Sequence, residues 1–112
     1  MKKIRFSFIF FVLIITSSLF AETEGEKLFK NNDPSGAIPL LEKDIATGSI
    51  SADTYNFLGL SYYQIGNLPK SLEAFEKGMN SPLSNKKILS FNQGNVAYSA
   101  GDYKLKLHFL WH

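Results

Sequence analysis

The residues with the clearest capacity for chemistry are the two histidines of the chain, His108 and His112. They are four residues apart, so a helix would place both side chains on one face. A zinc site needs three or four protein ligands, and the sequence has no cysteine and no third histidine to complete one. We therefore expect no metal site.

The sequence also shows no pattern typical of a catalytic centre. Both histidines follow residue 107, which leaves no nucleophile, base and acid in a familiar arrangement. The acidic residues are scattered, and no glycine-rich loop suited to phosphate is present. A catalytic pair of carboxylates, as in glycosidases, is not excluded, because the distance between two carboxylates cannot be read from a sequence. We predict that the protein is not an enzyme and has no cofactor.

The first 21 residues have the layout of a secretory signal peptide. A basic start, M-K-K-I-R, is followed by an apolar stretch and then by Ala21 before the acidic Glu22. We expect cleavage after Ala21 and export to the periplasm or the extracytoplasmic side of a membrane. The alternative is an uncleaved anchor, since the 17 residues from Ile4 to Phe20 are at the short end for spanning a bilayer.

The charge balance argues against a nucleic-acid partner. The formal net charge is +2, but Lys2, Lys3 and Arg5 belong to the signal segment. Without them, nine lysines face ten acidic residues, a net charge of −1. A nearly neutral domain lacks the basic surface that binds phosphates. The adjacent Lys86 and Lys87 are expected to be a solvated helix end.

Residues 22–112 contain an internal repeat. The turn residues Asp33, Asn67 and Asp102 are 34 and 35 residues apart. Eight residues before each turn lies a glycine, and eight residues after each lies a large apolar residue. These are Gly25, Gly59 and Gly94, and then Leu41, Phe75 and Leu110. A period near 34 residues predicts an array of helical hairpins.

The middle repeat resembles the tetratricopeptide repeat (TPR) family. Its first helix matches the family pattern aromatic-x-x-Leu-Gly-x-x-Tyr, and its second helix and closing proline also fit. The matching residues are Tyr55, Leu58, Gly59 and Tyr62, then Ser71, Phe75, Gly78 and Pro82. The outer repeats depart from the pattern, with Glu24, Ser90, Gln93 and Lys106 at repeat positions. The resemblance covers roughly residues 22–112 and implies an all-α, antiparallel helix-hairpin solenoid of about two and a half repeats.

Six helices are expected from apolar spacing and capping residues. They run over Glu22–Lys30, from near Ser35 to Ile45, from an N-cap at Ser51 to about Ile65, Pro69–Gly78, Ser84–Ser99 and Tyr103–Trp111. Pro39 is expected in the first turn of the second helix, where its missing N–H matters little. Tyr55, Tyr62, Leu72 and Phe75 are predicted core residues, and Gly59 and Gly94 are predicted to allow close helix contacts.

The resemblance implies a concave groove, lined by the first helix of each hairpin, that holds a peptide or a partner helix. The matching peptide-binding positions are Asn56, Leu60, Tyr63, Phe91, Asn92, Asn95 and Tyr98. Amide side chains there could bond an extended backbone, and the aromatic rings could supply contact area. The alternative is a solvated face, or one buried by stacking.

The final predicted helix is apolar nearly all round, whereas solenoids normally end in a polar capping helix. This suggests self-association through Tyr103–His112, or truncation of a longer TPR protein. Our leading interpretation is a non-catalytic exported TPR module that mediates protein–protein interaction in the cell envelope. The alternatives are an accessory or catalytic envelope domain and a fragment of a longer repeat protein.

Overall fold

The computed structural model describes residues 22–99 and Gly101, and every regular element within them is helical. The helices are α1 (Glu24–Lys30), α2 (Pro34–Thr47), α3 (Thr54–Gln64), α4 (Leu68–Met79) and α5 (Lys86–Ser99). The expected signal segment, the sixth helix and both histidines lie outside the described residues.

Local capping residues determine where helices α2 and α4 begin and where α2 ends. The Asp33 side chain accepts a hydrogen bond from the Gly36 N–H at 3.0 Å, and Asn67 accepts one from the Lys70 N–H at 3.3 Å. These are N-caps of α2 and α4. Gly48 ends α2 with φ +78°, the left-handed conformation that glycine adopts without a steric penalty. The turns therefore lie where the repeat predicts them.

Two expected helix starts are wrong. Ser51 is not the N-cap of α3: its hydroxyl accepts from the Asp53 N–H at 3.2 Å, before the helix begins, and donates to the Glu26 carboxylate on α1 at 3.0 Å. Asp53 takes the N-cap position, without a side-chain capping bond. Helix α5 begins at Lys86 rather than Ser84, where the Asn85 side chain accepts from the Ile88 N–H at 3.3 Å.

Pro39 lies deeper in α2 than expected. Helix α2 starts at Pro34, so Pro39 is in its second turn rather than its first. Its ring nitrogen cannot donate to the carbonyl of Ser35. Ser35 is exposed, so water can satisfy that carbonyl, and the helix continues to Thr47.

The helices form two layers with α3 at the centre. Each helix packs against the next along the chain, and α3 also contacts α1 and α5. Among the described helices, the backbones of α2 and α4 do not approach each other closely, although side chains of both belong to one core cluster. Helices α1, α3 and α5 therefore make one layer, and α2 and α4 lie separately on the other side.

The core consists of two clusters, and α3 and α4 contribute residues to both. The first cluster joins α1 to α4 and has Ala37, Leu41, Leu58, Tyr62 and Ala74 as its buried members. The second joins α3, α4 and α5 around Phe75, Leu89 and Val96. Phe29 stacks on Phe57 with ring centroids 4.4 Å apart, which links α1 to α3. All of the expected core residues are buried or packed against these clusters.

Helices α3 and α4 are in close contact at Gly59. The Ser71 hydroxyl donates to the Gly59 carbonyl at 2.6 Å, and a Cβ at position 59 would stand 2.5 Å from Phe75 Cε1. Any side chain at position 59 would therefore force the Phe75 ring to move. The predicted close contact at Gly59 is confirmed, and Gly94 is likewise buried.

Candidate partner-binding face

The predicted groove residues lie on α3 and α5, and one hydrogen bond among them joins the two helices. Helical spacing places Asn56, Leu60 and Tyr63 on one side of α3. The Asn92 amide on α5 donates to the Asn56 carbonyl oxygen at 2.6 Å, across the contact between the two helices. This bond fixes the axial register of α5 against α3.

The aromatic residues of this face are open to solvent. The exposed fractions are 58% for Phe91, 47% for Tyr98 and 36% for Tyr63. Buried aromatic rings supply most of the contact energy at protein interfaces, and these three rings have large uncovered surfaces. The face therefore offers apolar area that a partner could cover.

The polar residues of this face are more enclosed than the rings. Asn56 is only 8% exposed, and its side-chain oxygen is already bonded to Asn92. Asn92, Asn95 and Leu60 are half-buried. Asn56 thus joins the helices, while Asn92 and Asn95 are the amides nearest to solvent.

Ile88 extends the face by one turn, and the sequence reasoning did not include it among the site residues. Residues 88, 91, 95 and 98 follow a spacing of three, four and three, which makes one stripe along α5. Ile88 is 41% exposed. The helical period could have identified Ile88, because it lies three residues before Phe91 on the same stripe.

A second concave site lies on another side of α3. A cavity of 250 Å³ opens between α2, α3 and α4, where α2 and α4 stand apart. Its lining combines apolar, phenolic and charged groups. The lining residues are Glu42, Ile45, Tyr55, Leu58, Tyr62, Lys70, Glu73, Ala74 and Lys77. Sequence reasoning assigned the two tyrosines to the core and gave no sign of this gap.

Tyr62 contacts two charged side chains at the rim of this cavity, Glu42 and Lys70. Its hydroxyl donates to the Glu42 carboxylate, and the Lys70 ammonium lies 5.7 Å from its ring centroid. Burial, followed by the bond to Glu42, raises the pKa of Tyr62 to about 12. The phenol therefore stays protonated near neutral pH. Glu73 pairs with Lys77 at 2.9 Å, and this contact lowers the pKa of Glu73.

The described residues contain no cluster of three or more His, Cys, Asp or Glu side chains placed to hold a metal ion. Within residues 22–99, no helix has both the length and the apolar character needed to cross a membrane. Comparison with protein-family models and with curated proteins found no match.

Proposed function

We propose that this chain is a non-catalytic helical-repeat module that binds another protein through the shared face of α3 and α5. The observation that carries the proposal is the Asn56–Asn92 bond at 2.6 Å, which joins α3 to α5, the two helices that carry the exposed rings of Tyr63, Phe91 and Tyr98. Exposed apolar residues rimmed by polar groups are typical of a protein-binding surface.

The proposed architecture is a TPR-like solenoid. Its support is the 34-residue sequence period together with the contacts of α3, which packs against α1 on one side and α5 on the other, as well as against α2 and α4. On this proposal, α1–α2 and α3–α4 are two hairpins, and α5 opens a third. Stacked hairpins expose the layer of first helices as a continuous surface.

The proposed location is the cell envelope, and the proposed partner is an envelope protein or a peptide segment of one. The support is the basic, apolar and small-residue order of residues 1–21. The near balance of charge in residues 22–112 favours a partner recognised by apolar and amide contacts over one attracted by strong charge.

The proposed binding mode uses the α5 stripe as its apolar centre. Phe91 and Tyr98 are separated by two turns of α5, with Asn95 between them on the same side. A partner backbone that crossed this stripe could exchange hydrogen bonds with the half-buried amides while its side chains covered the rings. Tyr63 would add contact from α3.

The test is capture of envelope proteins on the immobilised protein, with matched surface variants. Phe91→Ala, Tyr63→Ala and Asn95→Ala should each reduce recovery of the captured partner. Leu83→Ala is the control for Phe91→Ala, because both side chains are 58% exposed and Leu83 lies outside the face. Far-ultraviolet circular dichroism should show equal helicity in all variants. Recovery unchanged by all three face variants, or lowered equally by Leu83→Ala, would remove the basis of the proposal.

A further inference from the structure

The lining of the cavity between α2, α3 and α4 consists of a buried apolar part and an exposed charged part. Leu58, Tyr62 and Ala74 are its buried residues, and we call them the floor. Ile45 and Tyr55, also in the lining, are half-buried. The rim consists of the four exposed charged residues, Glu42, Lys70, Glu73 and Lys77. An occupant would therefore bury an apolar group on the floor and keep a polar group at the rim.

The volume of the cavity limits the occupant to a small molecule. An apolar cavity of about 150 Å³ holds benzene, and sites for drug-sized ligands occupy about 300–1,000 Å³. The 250 Å³ measured here falls between these values. It suits one phenyl ring together with a head group of a few atoms, and it is too small for a nucleotide or a comparable cofactor.

Two of the four rim charges have no counterion. Glu73 and Lys77 pair with each other at 2.9 Å, but neither Glu42 nor Lys70 forms an ion pair with any residue in the described part of the chain. Both instead contact Tyr62. The Glu42 carboxylate accepts from its hydroxyl, and the Lys70 ammonium lies 5.7 Å from its ring centroid. One anionic and one cationic group are thus held beside the same floor residue, where a single head group can meet both.

We infer that this cavity binds a free α-amino acid with a large apolar side chain, such as phenylalanine. Lys70 pairs with the carboxylate of the ligand, and Glu42 accepts from its ammonium group while keeping the bond from Tyr62. The ligand side chain lies against Leu58 and the ring of Tyr55. A ligand with only one of the two charges meets a like charge at the rim, which lowers its affinity. This site is on a different side of α3 from the partner-binding face, so it does not depend on the proposed function.

The test is titration of phenylalanine into the purified full chain, followed by calorimetry and nuclear magnetic resonance. Binding should saturate at one ligand per chain with a Kd of about 1 mM or below, as expected for a ligand of this size. The signals of Tyr55 and Tyr62 should shift, and those of Tyr98 on the partner-binding face should not. 3-Phenylpropionate lacks the ammonium group and 2-phenylethylamine lacks the carboxylate, so each should bind about fivefold more weakly or worse.

Glu42→Gln and Lys70→Gln remove the two rim charges at exposed positions. Each should weaken phenylalanine binding about fivefold or more. Glu42→Gln should also abolish the preference for phenylalanine over 3-phenylpropionate, and Lys70→Gln the preference over 2-phenylethylamine. Glu76→Gln and Lys43→Gln are the matched controls, because these residues are exposed on the same two helices and do not line the cavity. Both controls should bind phenylalanine like the unmodified chain.

Two further ligands separate a free amino acid from the end of a peptide, and they use the unmodified protein, so no variant has to fold. Phenylalanine amide represents the first residue of a peptide and N-acetylphenylalanine represents the last. Each lacks one charge and should bind as weakly as the corresponding single-charge analogue. Binding of either one as tight as that of phenylalanine would overturn the inference. No saturable binding of phenylalanine by about 10 mM, signal shifts confined to Tyr98 and its neighbours, or equal losses in the rim and control variants would also overturn it.

Discussion

The contact between Gly59 and Phe75 gives the most sharply defined stability prediction. A Cβ at position 59 would lie 2.5, 2.6 and 2.7 Å from three carbons of the Phe75 ring. Carbon atoms are at their optimum separation at about 3.5–4.0 Å, so the ring would have to retreat by about 1 Å. Phe75 is fully buried in a cluster with Leu89 and Val96 of α5, and protein interiors are close-packed, so a shift of its ring should disturb that cluster.

The size of the effect follows from two opposing contributions. Overpacking of this kind costs about 1–3 kcal/mol, whereas alanine is better than glycine within a helix by about 1 kcal/mol. We therefore expect Gly59→Ala to lower the free energy of unfolding by up to about 2 kcal/mol. Gly59→Leu places three further carbons in the same contact and should cost about 3 kcal/mol or more.

Thermal unfolding followed by circular dichroism measures both changes. For a domain of this size, 1 kcal/mol corresponds to about 4–8 °C in Tm, so Gly59→Leu should lower Tm by about 12 °C or more. Ala46→Leu is the control, because it adds similar bulk at an exposed position of α2 and should change stability by at most about 0.5 kcal/mol. A Gly59→Leu protein with the Tm of the unmodified chain would refute the close packing of α3 on α4.

Three further outcomes are expected. Burial raises the pKa of Tyr62 to about 12 from an ordinary 10.0, so the stability that it gives is complete below pH 10 and is lost as pH rises towards 12. The loss should be on the order of 2 kcal/mol. The stability difference between the unmodified chain and Tyr62→Phe should therefore shrink over that range in urea titrations, and a constant difference would contradict the assignment. Ser71→Ala removes a buried hydrogen bond to the α3 backbone and should lower the free energy of unfolding by about 1–2 kcal/mol. Ser99→Ala removes an exposed serine–carbonyl bond and should lower it less. Equal losses would show that burial of the bond is unimportant. Mass spectrometry of the protein from its native cells should find Glu22 at the N-terminus, while an intact Met1 would favour the anchor.

The positions of the turns were predictable because their causes are local. Asp33 and Asn67 cap the helices that follow them, and Gly48 adopts a conformation suited to glycine, so each signal acts within four residues. The close contact at Gly59 was predicted from the repeat spacing, and Gly25, at the equivalent position, also lies close to a residue of the next helix, Leu41.

The features that the sequence did not predict depend on contacts between residues far apart in the chain. Ser51 is a good N-cap by type, but its hydroxyl accepts from the Asp53 N–H before the helix begins and donates to Glu26, 25 residues earlier. Asn56 was predicted as a groove residue, and its bond to Asn92, 36 residues away, leaves it nearly buried. The cavity depends on the separation of α2 from α4, which no residue pattern within either helix expresses.

Amide hydrogen exchange on the complex with a captured partner tests the central claim most directly. If the shared face binds the partner, exchange should slow in α3 around residues 56–63 and in α5 around residues 88–98, while the exposed side of α2 should be unaffected. Phe91→Ala should abolish this protection, and Leu83→Ala should leave it intact. Protection confined to α2 and α4, with α3 and α5 unchanged, would contradict the assignment of the binding face.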